Sequence, residues 1–117
     1  MQIETLKITP DRYTTVRYAG ASGDFNPIHL DDEFARRVGL PGRILHGLWT
    51  MAQVARATTE SAGGPGSLQS LEVTFRGMGF PEQELTITGT AGDDGIDLVV
   101  EQNGTTIIRR ATATLNN

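Results

Sequence analysis

Hydrophobic and polar positions predict a central helix near the middle of the chain. Along residues 45–57, apolar side chains recur three and four positions apart, the spacing that places them on one helical face. These side chains are Leu48, Met51, Ala52 and Ala55. The other faces carry few charges before Arg56, which favours a helix from residue 47 to about 62 that is enclosed by a sheet wrapped around it.

After residues 61–67, which are rich in Gly and Ser, the pattern changes to near alternation of Val, Thr, Ile, Leu and Phe. Alternation is typical of strands with one buried face, and we place four of them between turns that contain Gly, Pro, Asp or Asn. The strands are expected at about 68–78, 84–91, 96–102 and 105–115. Together with the central helix they predict an α+β fold in which an antiparallel strand meander packs on that helix.

The first 24 residues predict a short strand followed by a helix. Ile3–Ile8 alternate in part, and Thr9-Pro10 is a typical helix start. The helix would turn Tyr13, Val16 and Tyr18 inward before the glycines at 20 and 23 end it.

A loop over residues 22–30 and a second, short helix are expected next. Asp31 and Asp32 precede Glu-Phe-Ala-Arg-Arg-Val, and carboxylates favour the positive end of a helix. Gly39, followed by Pro41, would end this helix.

Composition limits the chain to one compact domain over residues 1–117. Hydrophobic residues make up 38% and charged residues 21% of its 117 positions, a balance typical of a folded domain of this size. Such a small domain leaves apolar surface that a second subunit can cover. The net charge of -4 argues against nucleic acid or an anionic membrane as partner.

With no cysteine, no long apolar run and no apolar leader, we expect a cytoplasmic protein without disulfides.

The densest cluster of reactive groups is Ser-Gly-Asp-Phe-Asn-Pro-Ile-His at residues 22–29, where Asp24 and His29 lie five positions apart. Asn26 and Pro27 favour a tight turn that would bring these two side chains together. A carboxylate beside an imidazole can hold a water molecule and move its proton, since the pKa of histidine is ordinarily about 6.5. The alternative is a common turn with a hydrogen-bonded histidine.

A second cluster lies where the central helix is expected to begin, at His46-Gly47. Backbone N–H groups in the first turn of a helix are unpaired and lie at its positive end, so a carbonyl oxygen can approach Gly47 and become polarised. The alternative is that Gly47 only allows its neighbours to pack.

Asp24, His29 and His46 also have the composition of a two-histidine, one-carboxylate metal site. Their spacing has no metal-specific pattern, so acid–base chemistry is the favoured interpretation. Ser22 lacks the sequence context of a nucleophile.

Residues 18–35, Tyr-Ala-Gly-Ala-Ser-Gly-Asp-Phe-Asn-Pro-Ile-His-Leu-Asp-Asp-Glu-Phe-Ala, resemble the hydratase-2 signature of the MaoC-like dehydratase family. The agreement covers the aromatic start, Ser-Gly-Asp, Asn-Pro, the aliphatic residue, the His and the later Ala. His-Gly at 46–47 also agrees. The resemblance implies the hot-dog fold, in which a long antiparallel sheet wraps one central helix.

The resemblance also implies an activity. Members of the family hydrate trans-2-enoyl thioesters of coenzyme A or acyl carrier protein to (R)-3-hydroxyacyl thioesters, or run the reverse dehydration. By this likeness Asp24 and His29 would activate the water, and the backbone N–H of Gly47 would donate to the thioester carbonyl. His46 and Asn26 would belong with Gly47 to the substrate-binding part of the site. Asn26 would shape the loop. No cofactor is implied, because the thioester serves as the electron sink.

One segment departs from the family pattern. Many members carry Pro-Val-x-x-Gly-Asp after the first strand of the meander, whereas residues 75–85 read Phe-Arg-Gly-Met-Gly-Phe-Pro-Glu-Gln-Glu-Leu. Substrate entry is therefore expected to differ.

Several assemblies and activities stay open at this point. The favoured hypothesis is an enzyme that acts as a homodimer on an acyl-thioester substrate. The first alternative is the catalytic subunit of a heterodimer whose related partner lacks the Asp–His pair. Others are a non-catalytic module that binds acyl thioesters and, less favoured by the motif, a thioesterase.

Overall fold

The computed structural model describes residues 2–116 and forms one five-stranded antiparallel sheet that packs against a central helix. The elements in chain order are β1 (Leu6–Ile8), α1 (Thr14–Ser22), α2 (Asp32–Arg37), α3 (Gly47–Ser61), β2 (Leu68–Phe75), β3 (Leu85–Ala91), β4 (Ile96–Gln102) and β5 (Thr105–Leu115), with single 3-10 turns at Pro27–His29 and Pro65–Ser67. The α+β class and the central helix are confirmed. No helix within residues 2–116 combines the length and apolar character needed to cross a bilayer.

The strand order is β1-β3-β4-β5-β2. The meander is therefore confirmed for β3, β4 and β5 but wrong for β2, which pairs with β5 at the opposite edge from β1. A hairpin between β2 and β3 would need a turn of two to five residues. The longer segment 76–84 instead carries the chain across to the other side of the sheet.

Strand bounds agree closely with the alternation pattern, apart from the end of β2 at Phe75. The turn between β4 and β5 has φ angles of 50° at Asn103 and 76° at Gly104. Both residues are thus in the left-handed region that a two-residue hairpin turn requires. Gly89 in the middle of β3 leaves room for Ile3, whose Cγ2 would lie 2.7 Å from a Cβ at that position.

The core lies between the sheet and α3. Its strand residues are Leu85, Ile87, Ile96, Leu98, Val100, Ile107, Ile108, Ala111 and Ala113. The prediction of which face of α3 packs on this core is wrong. Leu48 is 64% exposed, and Met51, Ala52 and Ala55 are not buried. The buried residues of α3 are Thr50, Val54, Ala57 and Thr58. Both sets have helical spacing, and the small second set lets the helix lie close to the sheet.

The helix α1 begins later than expected. Instead of capping at Thr9, the chain makes a turn in which the Asp11 carboxylate accepts from the N–H of Tyr13 at 2.8 Å and the Asp11 carbonyl accepts from Thr14 at 3.2 Å. Pro10 lies outside the helix, and its carbonyl accepts from the N–H of Glu82.

The expected inward face of α1 is also largely wrong. Tyr13 and Val16 are exposed, and Tyr18 is half-buried, whereas the buried residues are Thr14, Thr15 and Ala19. The start of α2 is confirmed, since the Asp31 carboxylate accepts from the N–H groups of Glu33 and Phe34 in the first turn of that helix. Gly39, with φ 99°, follows its end as expected.

Candidate active site

The loop after α1 positions Asp24, the acidic residue of the candidate site. Gly23 ends the helix in the left-handed conformation at φ 80°, and its N–H donates to the carbonyl of Ala19 at 2.8 Å. The Ser22 hydroxyl donates to the carbonyl of Tyr18 and accepts from the N–H of Asp24 at 3.2 Å. Ser22 therefore acts as a local brace for the loop.

The two oxygens of the Asp24 carboxylate have different surroundings. Oδ1 accepts from the backbone N–H of Asn26 at 3.2 Å, which fixes the side chain on the loop. Oδ2 lies 3.8 Å from Nε2 of His29. The Asp24 side chain is 52% exposed, so one carboxylate oxygen faces both the imidazole and solvent.

The partner of Nδ1 determines the tautomer of His29. This nitrogen lies 2.9 Å from the carbonyl oxygen of Ile44, and a carbonyl only accepts, so Nδ1 carries the proton and donates. Nε2 is then the basic nitrogen, and it faces Asp24. A separation of 3.8 Å is too long for a direct hydrogen bond but lets one water hydrogen-bond to both groups. The geometry therefore favours a water held by the pair.

The segment that presents the Ile44 carbonyl is anchored on both sides. The N–H of Ile44 donates to Ile28 at 3.0 Å, and the N–H of Leu45 donates to Gly79 at 2.8 Å. Arg43 donates to the carbonyl of Arg12 at 2.7 Å and lies 3.5 Å from the Asp32 carboxylate. These contacts hold the acceptor for His29 in place.

Asp24 and His29 are called the dyad from here on. His46 is buried behind the ring of His29. The residue is 2% exposed, and its ring stacks on that of His29 with centroids 3.9 Å apart and planes 19° apart. Its Nε2 lies 3.0 Å from the carbonyl oxygen of Asp24, so Nε2 is the protonated nitrogen. Its Nδ1 is buried and has no hydrogen-bond partner in residues 2–116.

The start of α3 has no side-chain cap in the described residues. His46 is the N-cap residue but makes no side-chain cap, and the first turn contains no acidic residue. The first backbone bonds run from Trp49 and Thr50 to the carbonyl of His46, so the N–H of the exposed Gly47 precedes this ladder. A helix N-terminus favours negative charge. A Cβ at Gly47 would lie 3.2 Å from Cζ of Phe75, so that ring borders the opening.

Asn26 contributes to the loop and not to the dyad. Its side-chain oxygen accepts from the N–H of Ile28 at 3.2 Å, which caps the 3-10 turn that ends at His29. Sequence patterns did not indicate the Ile44 carbonyl, the ring of Phe75 or the contact between Tyr18 and His46, whose rings are 4.8 Å apart. The first is a backbone atom, and the other two are tertiary contacts.

The metal alternative is disfavoured by ring geometry. Asp24, His29 and His46 each offer an atom within 4.8 Å of the others. However, the lone pair of an imidazole nitrogen lies in the ring plane, and two rings stacked at 19° keep their lone pairs in two nearly parallel planes. A single ion needs both nitrogens to converge at about 2.0–2.1 Å. Acid–base use of the dyad fits this arrangement better.

Residues 2–111 match a family model described as "MaoC like domain". Over 73 residues the chain is 45% identical to the fatty acid synthase subunit beta of Aspergillus oryzae, and over 66 residues it is 38% identical to the peroxisomal enoyl-CoA hydratase 2 of Arabidopsis thaliana. These matches cover 60% and 55% of this chain but only 4% and 21% of the relatives. The chain thus spans a small part of the curated proteins that it matches.

A solved structure extends the similarity to the whole fold. The (R)-hydratase from A. caviae, described as involved in PHA biosynthesis, superposes with a TM-score of 0.83 at 21% identity. The match covers 97% of this chain and 92% of that one. The hot-dog fold expected from the sequence is confirmed by this similarity.

Proposed function

The chain belongs to the MaoC-like domain family, and on this premise we propose that it hydrates trans-2-enoyl thioesters of coenzyme A or acyl carrier protein to (R)-3-hydroxyacyl thioesters, or catalyses the reverse dehydration. The observation that carries the proposal is the basic Nε2 of His29, which faces the Asp24 carboxylate across 3.8 Å. The names of the plant and fungal relatives support an acyl-thioester substrate.

In the hydration direction, a water between Asp24 and His29 is the nucleophile. As its oxygen bonds to Cβ of the enoyl group, Nε2 of His29 takes one of its protons and Asp24 orients the other. The Cα–Cβ double bond becomes a single bond, and its electrons move toward the thioester oxygen. The proton held by the dyad then passes to Cα, which restores both side chains. Dehydration follows the same steps in reverse.

The thioester oxygen gains negative charge during this reaction, and the start of α3 can stabilise it. Gly47 is an exposed residue, and its N–H lies at the positive end of a 15-residue helix that has no side-chain cap in the described residues. His46 joins this helix start to the dyad, because it precedes Gly47 and stacks on His29. The N–H of Gly47, as the donor to the thioester oxygen, and His29, as the base, are therefore held by one connected set of contacts.

The experiment is to incubate the purified chain with crotonyl-CoA and a longer trans-2-enoyl-CoA and to follow two readouts together. Loss of the enoyl absorbance reports hydration, and a thiol reagent reports free coenzyme A. The chain has no cysteine, so the thiol signal comes only from thioester cleavage. We expect loss of the enoyl signal, no thiol release and an (R) product. Thiol release would favour a thioesterase, and binding without turnover a non-catalytic module.

A matched pair of variants tests the site. Asp24→Asn keeps the size of the side chain but removes its charge, and general acid–base groups contribute about 10²–10⁴-fold. Asp94→Asn makes the same change on an exposed turn between β3 and β4. We expect hydration to fall by at least about 10²-fold only in the first variant. Equal rates in the two variants would remove Asp24 from the mechanism.

A homodimer is part of the proposal. Strand β2 is an edge of the sheet, and Phe75 at its end and Leu48 in α3 are 47% and 64% exposed. Exposed apolar side chains and a strand edge without a neighbouring strand are both typical of surfaces that another chain covers. The competing assembly is a heterodimer with a related subunit.

Size-exclusion chromatography with light scattering decides between these assemblies. We expect an active dimer of the chain alone, and a Leu48→Glu variant that dissociates because a charge enters the apolar surface. An inactive monomer that gains activity with a related chain would favour the heterodimer.

A further inference from the structure

The side chain of His46 is buried, titratable and unused by the proposed reaction. It faces the dyad from behind, where its ring lies against His29 and one of its nitrogens contacts the backbone of Asp24. Two observations on the described residues argue against a purely structural role: the missing side-chain cap at the start of α3 and the absence of a partner for Nδ1.

His46 occupies the N-cap position of α3 but is not a residue type that caps helices well. Helix N-caps favour Ser, Thr, Asp and Asn, whose short side chains accept from the first turn. His46 makes no such bond, and its Nδ1 is buried without a partner in the described residues. Packing alone therefore does not account for an imidazole here.

The second ring nitrogen, Nε2, explains why an imidazole stands at position 46. Nε2 donates to the carbonyl of Asp24 at 3.0 Å, across 22 positions of the chain, and so ties the acidic loop to the start of α3. The face of the same ring covers the face of the His29 ring at 3.9 Å. One side chain thus contacts the backbone of the acid and the ring of the base.

We propose that His46 is a positioning residue that sets the separation and the relative orientation of Asp24 and His29. The bond to the Asp24 carbonyl fixes the loop and sets its distance from His29, and it accounts for most of this role, whereas the stacked ring only supports the His29 ring from behind. The gap of 3.8 Å suits one water, and a change of about 1 Å in such a geometry can lower a rate by about 10²-fold. This role rests on the proposed hydration.

Two variants separate the hydrogen bond from the ring. His46→Phe keeps a flat ring against His29 but cannot donate to Asp24. His46→Gln loses the ring but places an amide N–H close to the position of Nε2. We expect kcat of the Phe variant to fall by about 10²-fold with KM little changed, because binding at Gly47 is kept. We expect the Gln variant to recover most of the wild-type kcat. Thermal unfolding of each variant reports whether it folds.

Nitrogen NMR of the wild type gives a readout that does not depend on any variant. The sequence has two histidines, so both rings can be assigned. We expect the proton of His46 on Nε2 and that of His29 on Nδ1, and we expect the His29 signals to shift in a folded Phe variant.

Three results would overturn the role of His46: a proton on its Nδ1 in place of Nε2, wild-type kcat in the Phe variant, or a Gln variant no more active than the Phe variant. Failure of the proposed function is distinct, because wild type itself would then not hydrate the enoyl thioester.

Discussion

The centre of the sheet and the start of α3 are both buried, but they bury different chemistry. Leu85, Ile87, Val100 and Ile108 are fully buried and apolar. Around the start of α3, the imidazoles of His29 and His46 are buried, and within residues 2–116 Nδ1 of His46 has no partner and the helix has no side-chain cap. Apolar burial stabilises the fold, whereas polar burial of this kind costs free energy. We infer that the sheet supplies the stability that lets the helix start keep a reactive arrangement.

The largest stability effect is expected in the sheet. Ile87→Ala removes a fully buried side chain, so we expect the free energy of unfolding to fall by about 2–5 kcal/mol. Urea denaturation measures the change, and Val99→Ala, at a half-buried position of β4, is the control. Activity per folded molecule should stay near wild type. A loss below about 1 kcal/mol would mean that this region does not dominate stability.

A smaller effect, on activity, is expected at the helix start. Gly47→Ala adds a methyl group where the thioester carbonyl would approach, and that methyl group would lie 3.2 Å from the ring of Phe75. We expect kcat/KM to fall about tenfold, which is about 1.4 kcal/mol of transition-state stabilisation. Unfolding free energy should change little, because Ala is the better helix former.

The double variant Gly47→Ala, Phe75→Leu is the control for that result, since it relieves the contact with the ring. Persisting loss of activity would assign the effect to the methyl group at the carbonyl site. Recovery of activity would assign it to displacement of Phe75 and would weaken the role of the Gly47 N–H.

The smallest effect is expected on the surface, at Asp11. The hydrogen bond from Arg17 at 3.0 Å, assisted by the N–H of Tyr13, lowers the pKa of the Asp11 carboxyl below 3.8. A lowered pKa means that the charged form stabilises the fold at neutral pH and that this contribution is lost as the pH falls through the folded pKa. Carbonyl-carbon NMR should give a midpoint below 3.8 that rises in Arg17→Gln. A midpoint at or above 3.8 in the wild type would contradict this interpretation.

Local patterns predicted the strands well, but they predicted the position of β2 in the sheet and the buried faces of the helices poorly. Alternation and turn residues act over a few positions, so the bounds of β3, β4 and β5 could be read from the sequence. The buried face of α3 depends on where the sheet lies, and two sets of residues had the required spacing. Gln102 shows the same limit. Its polar side chain gives no sign of burial in the sequence. It is buried because its amide makes three hydrogen bonds with the backbone of Phe80 and Gln83.

The candidate site was predictable to the extent that its residues are close in sequence. Asp24 and His29 share one turn, and the structure brings them to 3.8 Å. The bond from His46 to Asp24 spans 22 positions, and the acceptor for His29 is the backbone of Ile44, so neither leaves a local signal. The roles of Asn26, Gly47 and His46 in substrate binding and the cytoplasmic location stay predictions.

The central claim is that Asp24 and His29 act as one unit on one water. The most direct measurement is kcat/KM on a single trans-2-enoyl-CoA for wild type, Asp24→Asn, His29→Gln and the double variant. We expect each single change to lower the rate by about 10²–10⁴-fold and the double variant to be no slower than the worse single variant. Losses that multiply in the double variant would show that the two side chains act independently and would contradict the claim.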